Sequence, residues 1–184
     1  MLHVHYFTFN PVQENTYILY DDTKECVIID PGCYFPAERK ELMSFIEQHG
    51  LKPVKLLLTH AHVDHVPGLG FVAGTYGLIP HYHELEVPVL RAVPSYADRF
   101  GMTINDLPEE AVFLTDGDMV MFGDTQLNVL FAPGHSPGSI CYYSVADKVV
   151  IGGDVLFRGS IGRTDLPGGD FDVLMSSIAN QLFV

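Results

Sequence analysis

Apolar and polar positions alternate from the first residues. The stretches LHVHYFTF (2–9), NTYILY (15–20) and ECVIID (25–30) each read as a strand, with the polar turn DDTK (21–24) before the third and Pro31-Gly32 after it. This predicts a meander. The period then changes. Leu42, Phe45, Ile46 and His49 recur at helical spacing, charges lie opposite them, and Gly50 supplies the stop, so residues 36–49 are predicted as an amphipathic helix. VKLLL (54–58) is a short apolar run reached through that helix, which fits a parallel strand buried on both faces. LGFVAGTYG (69–77) and LIPHYH (78–83) repeat the pattern as helix and strand, and residues 84–108 read as helix and loop.

From Val112 onward the runs are short. DMVMF and TQLNVLFA flank Gly123-Asp124, and SICYYS and KVVIGGD flank the turn VADK, so two hairpins are predicted. Residues 170–183 return to a helical pattern. Strands and helices occur in both halves with no biased linker between them, so residues 1–184 are expected to form a single α/β domain.

Composition narrows the partners. The chain is 47% hydrophobic and 18% charged, which places it among globular proteins. Its formal net charge of -13 would repel phosphate backbones, so nucleic acid is not an expected partner. No apolar run approaches the roughly 20 residues needed to span a bilayer, and no basic segment followed by a continuous apolar core begins the chain. No membrane partner is expected. Cys26, Cys33 and Cys141 are odd in number and lack metal or disulfide spacing, which suits a reducing cytoplasm.

The chemistry is concentrated where VKLLL ends. In LTHAHVDHVPG, three histidines and an aspartate fall within six positions: His60, His62, Asp64 and His65. His60 and His62 are two apart in an extended segment, so they point to the same side and can share one ion through neutral imidazole nitrogens. Asp64 and His65 follow once the chain has turned and can face a neighbouring point. Farther on, APGHSPGS places His135 in a turn after a strand, with its ring expected to be exposed to a cleft, and VVIGGDVLF places Asp154 after another strand. A carboxylate there can bridge two cations. His3 and His5 share a strand face without a third ligand nearby and are expected to be surface or core histidines.

THAHVDH, APGHSPGS and GGDVLFRGSIGRTDLPGGD together resemble the metallo-β-lactamase superfamily, in particular its small glyoxalase II-like hydrolases. The likeness covers nearly the whole chain. It implies an αββα sandwich with a metal site at one edge of two packed sheets. It assigns His60, His62 and His135 to a first metal, Asp64 and His65 to a second, and Asp154 as the bridge, with Asp30 of DPG as a supporting group. The family pattern also has a histidine in a later Gly-His-Gly turn, and no histidine follows His135. The expectation is therefore a domain lacking its C-terminal strand and helix. His81 and His83 are early strand residues, not expected substitutes.

The resemblance implies a metal-dependent hydrolase with Asp64 orienting the nucleophile. The substrate would be a small-molecule thioester of the S-acylglutathione type, and the cofactor zinc, as two ions if the chain is complete, with iron or manganese also compatible with the ligand set. Arg163 and Asp165 are expected to form an ion-paired loop anchor. The competing reading is a mononuclear iron oxygenase similar to persulfide dioxygenases, using His60, His135 and Asp154. A metal-free binding protein is disfavoured, because buried imidazoles would lack a cation to offset their desolvation.

Overall fold

The computed structural model of the protein describes residues 1–183. The predicted meander is present as β1 (His3–Phe9), β2 (Glu14–Tyr20) and β3 (Glu25–Ile29), paired antiparallel in that order. The helix α1 (Pro36–Gln48) then crosses to β4 (Lys52–Leu57), which lies parallel to β3. Pro36 starts α1 where a missing N–H costs nothing, and the Glu38 carboxylate accepts hydrogen bonds from the backbone N–H groups of Tyr34 and Phe35. Gly50 adopts φ +61° just past the end, a conformation that favours glycine.

A second crossover through α2 (Leu69–Tyr76) leads to β5 (Pro80–Tyr82), parallel to β4, and β6 (Val112–Phe113) completes a six-stranded sheet. Between β5 and β6 run a 3-10 turn (Glu84–Glu86), the short helix α3 (Val87–Ala92) and two further 3-10 turns. The second sheet is antiparallel, β10-β9-β8-β7, built from β7 (Met119–Phe122), β8 (Thr125–Phe131), β9 (Ile140–Ser144) and β10 (Val149–Ile151). A small hairpin, β11 (Leu156–Phe157) with β12 (Ser160–Ile161), and the helix α4 (Phe171–Ser177) follow.

Three apolar layers hold these elements together. Ile18, Ile28, Leu56 and Leu58 pack one face of the first sheet against Leu42 and Ile46 of α1 and Leu69 and Val72 of α2. The opposite face, with Leu19, Val27, Ile29 and Leu57, packs on Val120, Leu127, Val129, Ile140 and Tyr142 of the second sheet. Leu174 of α4 and the following Ile178 cover Ala132, Cys141 and Val155 on the far side. This is the expected αββα sandwich: strand residues alternate between the two faces of each sheet, and β7 buries Val120 and Phe122 between the sheets while Met119 and Met121 on its outer face are exposed. The two sheets are also joined by hydrogen bonds at one edge, where Ile140 N–H donates to the Thr59 carbonyl at 2.9 Å and the Tyr142 hydroxyl to the Leu58 carbonyl at 2.8 Å. Cys26, Cys33 and Cys141 are free and buried. No helix among the described residues is long and apolar enough to cross a membrane.

Candidate metal centre

The joined edge is where β3, β4, β8 and β10 end, and their following loops carry Asp30, the 60–65 cluster, His135 and Asp154. All six residues singled out in the sequence meet there. His60, His62 and His135 form one group of potential ligands, and Asp64, His65 and Asp154 a second, with the ligand atoms of each group within 4.8 Å of one another. The His62 Nδ1 lies 2.9 Å from His135 Nε2, which lies 3.2 Å from His60 Nε2. Nitrogens bound tetrahedrally to one zinc ion at about 2.0–2.1 Å stand roughly 3.3 Å apart, so the triad has the spacing of a shared ion.

Asp154 joins the groups. One of its oxygens is 3.3 Å from His65 Nε2 and the other 3.6 Å from His135 Nε2, an arrangement suited to a bridging carboxylate. Asp64 approaches His65 Nε2 at 3.6 Å from the other side.

The hydrogen bonds around the rings select their tautomers. His135 Nδ1 donates to the Arg163 carbonyl at 2.7 Å, leaving Nε2 with a free lone pair. His60 Nδ1 lies 3.1 Å from the Thr59 hydroxyl, which itself donates to Asp30 at 2.6 Å. That chain again leaves Nε2 as the acceptor. Asp30 is fully buried, with φ +51°, and also accepts from Thr59 N–H at 2.7 Å and faces His65 Nδ1 at 3.1 Å. Its oxygens are thus committed to orienting ring and backbone, in line with the supporting role expected of it. Glu14 Oε1 is a buried side-chain oxygen without a hydrogen-bond partner, and it sits 3.8 Å from His65 Nδ1.

Electrostatics follow from burial and like-charge neighbours. Burial, then His65, His62 and His135, holds His60 well below the usual histidine range. Burial and the His135 and His65 rings bring His62 down to about 3, and burial also lowers His135. The three rings are therefore neutral and ready to donate lone pairs. His65 goes the other way. Burial pushes it down, but Asp64, Asp30 and Asp154 outweigh burial and hold it well above the ordinary value. A proton on His65 supplies one positive charge to this carboxylate group, and a divalent ion at Nε2 would supply two in its place. The donor set thus fits two cations, one facing three neutral imidazoles and one facing an imidazole and two carboxylates.

One consequence is measurable without metal. Below pH 6.5 the unfolded chain protonates histidines that His60, His62 and His135 in the fold keep neutral, so stability rises with pH there. A ring that stays neutral in the fold while its unfolded counterpart is fully protonated contributes at most about 1.4 kcal/mol per pH unit, which for His62 extends down to about pH 3. His65 has the opposite sign: its contribution is present below pH 6.5 and lost as pH rises through its raised folded value. Denaturant titrations of metal-stripped protein are expected to show a steep loss of stability from pH 6.5 to 5. A flat profile there would contradict the burial of neutral rings.

Some expectations need correction. The ring of His135 is not exposed to a cleft; the residue is 2% exposed, because the Gly162 segment packs so closely over it that a Cβ at Gly162 would strike the Asp154 carbonyl and lie 3.0 Å from His135 Nδ1. Arg163 and Asp165 form the anticipated anchor, two bonds of 2.7 Å on the surface, but the Arg163 backbone carbonyl is what touches the site. His81 and His83 stay out of it: His81 bonds the Ile79 carbonyl, and His83 accepts from Leu85 N–H and stacks on Phe131. His3 stacks on Tyr20 and His5 on Phe45, away from the centre. Thr59 and Glu86 were not anticipated. Thr59 stands inside the quoted motif; Glu86 carried no signal to separate it from Glu84.

Comparison with known proteins places this geometry. The metallo-beta-lactamase superfamily matches residues 9–183. The chain is 38% identical over 174 residues to a probable metallo-hydrolase, YqgX, of Bacillus subtilis, covering 94% of this chain and 80% of that one. It is 37% identical over 172 residues to the hydroxyacylglutathione hydrolase GloC of Haemophilus influenzae, covering 92% and 79%. Among solved structures, the BLEG-1 B3 metallo-beta-lactamase superposes with a TM-score of 0.88 at 36% identity, covering 98% of this chain and 85% of that one. TTHA1623 in a di-iron-bound form gives 0.84 at 36%, covering 95% and 84%. With a family match across almost its whole length and a buried cluster of His and Asp ligands where two sheets meet, the chain belongs to the metallo-β-lactamase superfamily and carries the metal site of a metallo-hydrolase.

Proposed function

We propose that the protein hydrolyses a small-molecule thioester of the S-acylglutathione type at a dinuclear metal centre. His60, His62 and His135 would hold the first ion and Asp64 and His65 the second, with Asp154 placed to face both. The observation that carries the reading is the convergence of three buried neutral imidazole nitrogens, at 2.9 and 3.2 Å, beside a carboxylate that faces both groups. Zinc suits the imidazole-rich position, and the di-iron form of a relative at 36% identity supports iron as an alternative occupant. The hydroxyacylglutathione hydrolase named among the relatives supports the substrate class.

When bound, the two ions would acidify a water molecule and polarise the substrate carbonyl. The chain's own groups do the rest. Asp64, partly exposed beside His65, accepts a hydrogen bond from the attacking water and aims it. Asp154, held by His65, fixes the spacing of the two positions. The Thr59–Asp30 and Arg163 contacts keep the rings from rotating. Attack by water on the thioester carbon breaks the C–S bond and gives a carboxylic acid and a thiol. A thiolate leaves without a strong acid, and among the described residues of the centre none needs to act as one.

The test is a parallel assay of the metal-loaded protein with S-lactoylglutathione, a simple acyl thioester, a chromogenic β-lactam, and glutathione persulfide with oxygen uptake recorded. Thioester cleavage with two ions per chain is expected. Oxygen consumption with one iron per chain, or turnover of the β-lactam alone, would overturn the proposal.

A further inference from the structure

Glu86 lies outside the loops that carry the candidate metal ligands, yet it ties two of them together. It ends the 3-10 turn that leads into α3 and is fully buried. Its Oε2 accepts from Ala61 N–H at 2.8 Å, and its Oε1 accepts from the Ser136 hydroxyl at 2.6 Å and from Gly138 N–H at 2.7 Å. Ala61 is the residue between His60 and His62, and Ser136 is the residue after His135. One carboxylate therefore spans the gap between the loop after β4, in the first sheet, and the loop after β8, in the second.

Two further observations fit a spacing device. Gly138 leaves room for the carboxylate, since a Cβ there would lie 2.8 Å from Glu86 Cγ. Among the described residues, no Lys, Arg or His pairs with Glu86. Burying a carboxyl is costly without compensation, and here its hydrogen-bond donors all lie on the two loops. Their separation is thereby tied to the reach of one side chain.

We propose that Glu86 is a positioning residue that sets the distance between the His60–His62 loop and the His135 loop, and so the affinity of the three-imidazole position for a divalent cation. The proposal rests on the reading of those imidazoles as metal ligands. Glu86→Gln keeps the shape but turns one acceptor into a donor, so one strap must face donor to donor. Ser136→Ala keeps the charge and removes a single strap.

The experiment measures zinc affinity by competition with a chromophoric chelator, the visible absorption of the cobalt-substituted protein, and amide hydrogen exchange of metal-free protein. E86Q is expected to weaken zinc binding by ~10–100-fold, the range for groups that orient metal ligands. It should also alter the cobalt bands and speed exchange at Ala61 and Gly138. S136A is expected to weaken zinc binding by ~10-fold, and it carries the test if E86Q does not fold. Wild-type zinc affinity and cobalt bands in folded E86Q or S136A, even with a lower melting temperature, would overturn the proposal and leave the imidazole assignment standing. Wild-type affinity in a His60→Ala/His62→Ala protein would overturn both.

Discussion

Alanine at both His60 and His62 is expected to abolish metal binding at the three-imidazole position and thioester hydrolysis with it. The two rings supply two of three nitrogens that meet within hydrogen-bond distance of His135, and one remaining imidazole does not hold an ion against water. The loss should exceed the ~10–100-fold that outer hydrogen-bond partners of a metal ligand cost. Stability should respond differently with and without metal. In the metal-free protein, alanine removes two buried rings that burial already penalises when charged, so a cavity cost is offset by relief of crowded lone pairs. In the loaded protein, the stabilisation from bound ion, about 2.7 kcal/mol at a hundredfold excess over the dissociation constant, should vanish. Elemental analysis and melting curves with and without zinc check both parts. A double variant that keeps its metal and its metal-dependent melting shift would show that the imidazoles are packing groups.

Asp30→Ala is expected to cost about 3–5 kcal/mol of stability, the range for removing one partner of a buried charged pair. The carboxylate has no exposure and takes Thr59 N–H, the Thr59 hydroxyl and a contact with His65 Nδ1. All three donors would be left buried and unpaired. Backbone geometry adds to this, because Asp30 holds φ +51°, a region aspartate and asparagine tolerate better than alanine. Asp30→Asn therefore separates the two effects. It keeps the backbone preference and one acceptor, so its stability loss should be smaller. It also removes one of the carboxylates that raise His65, so an NMR titration should find His65 lower. Denaturant unfolding of both variants is the measurement, and a loss below about 1 kcal/mol in D30A would contradict the role assigned to this residue.

The α/β elements and the candidate ligand residues could be read from the residues because the signals are local, whereas the sandwich arrangement and the division of the ligands between two ions came from the family resemblance. The alternation within each of the three strands of residues 2–30, the helical spacing at 36–49 and the apolar run 54–58 are each signals of a single element, and four of the six candidate ligands fall within one loop. What could not be read depends on chain segments meeting in space. The histidine of APGHSPGS looked exposed because Pro and Gly dominate its turn; the Gly162 strand end, 27 residues later, closes over it. Glu86 contacts residues 25, 50 and 52 positions away. Nothing in HYHELEVP sets it apart from Glu84, which stays at the surface. Arg163 was singled out for its guanidinium, whereas its carbonyl is what orients His135. Backbone groups leave no mark in a sequence pattern.

The most direct test of the central claim is anomalous diffraction at the zinc and iron absorption edges from crystals of the metal-loaded protein. The account predicts one peak within about 2.0–2.2 Å of His60 Nε2, His62 Nδ1 and His135 Nε2, and a second beside His65 Nε2 and Asp64, with Asp154 between them. An active crystal form with no peak at those nitrogens, or with its metal held elsewhere on the chain, would contradict it.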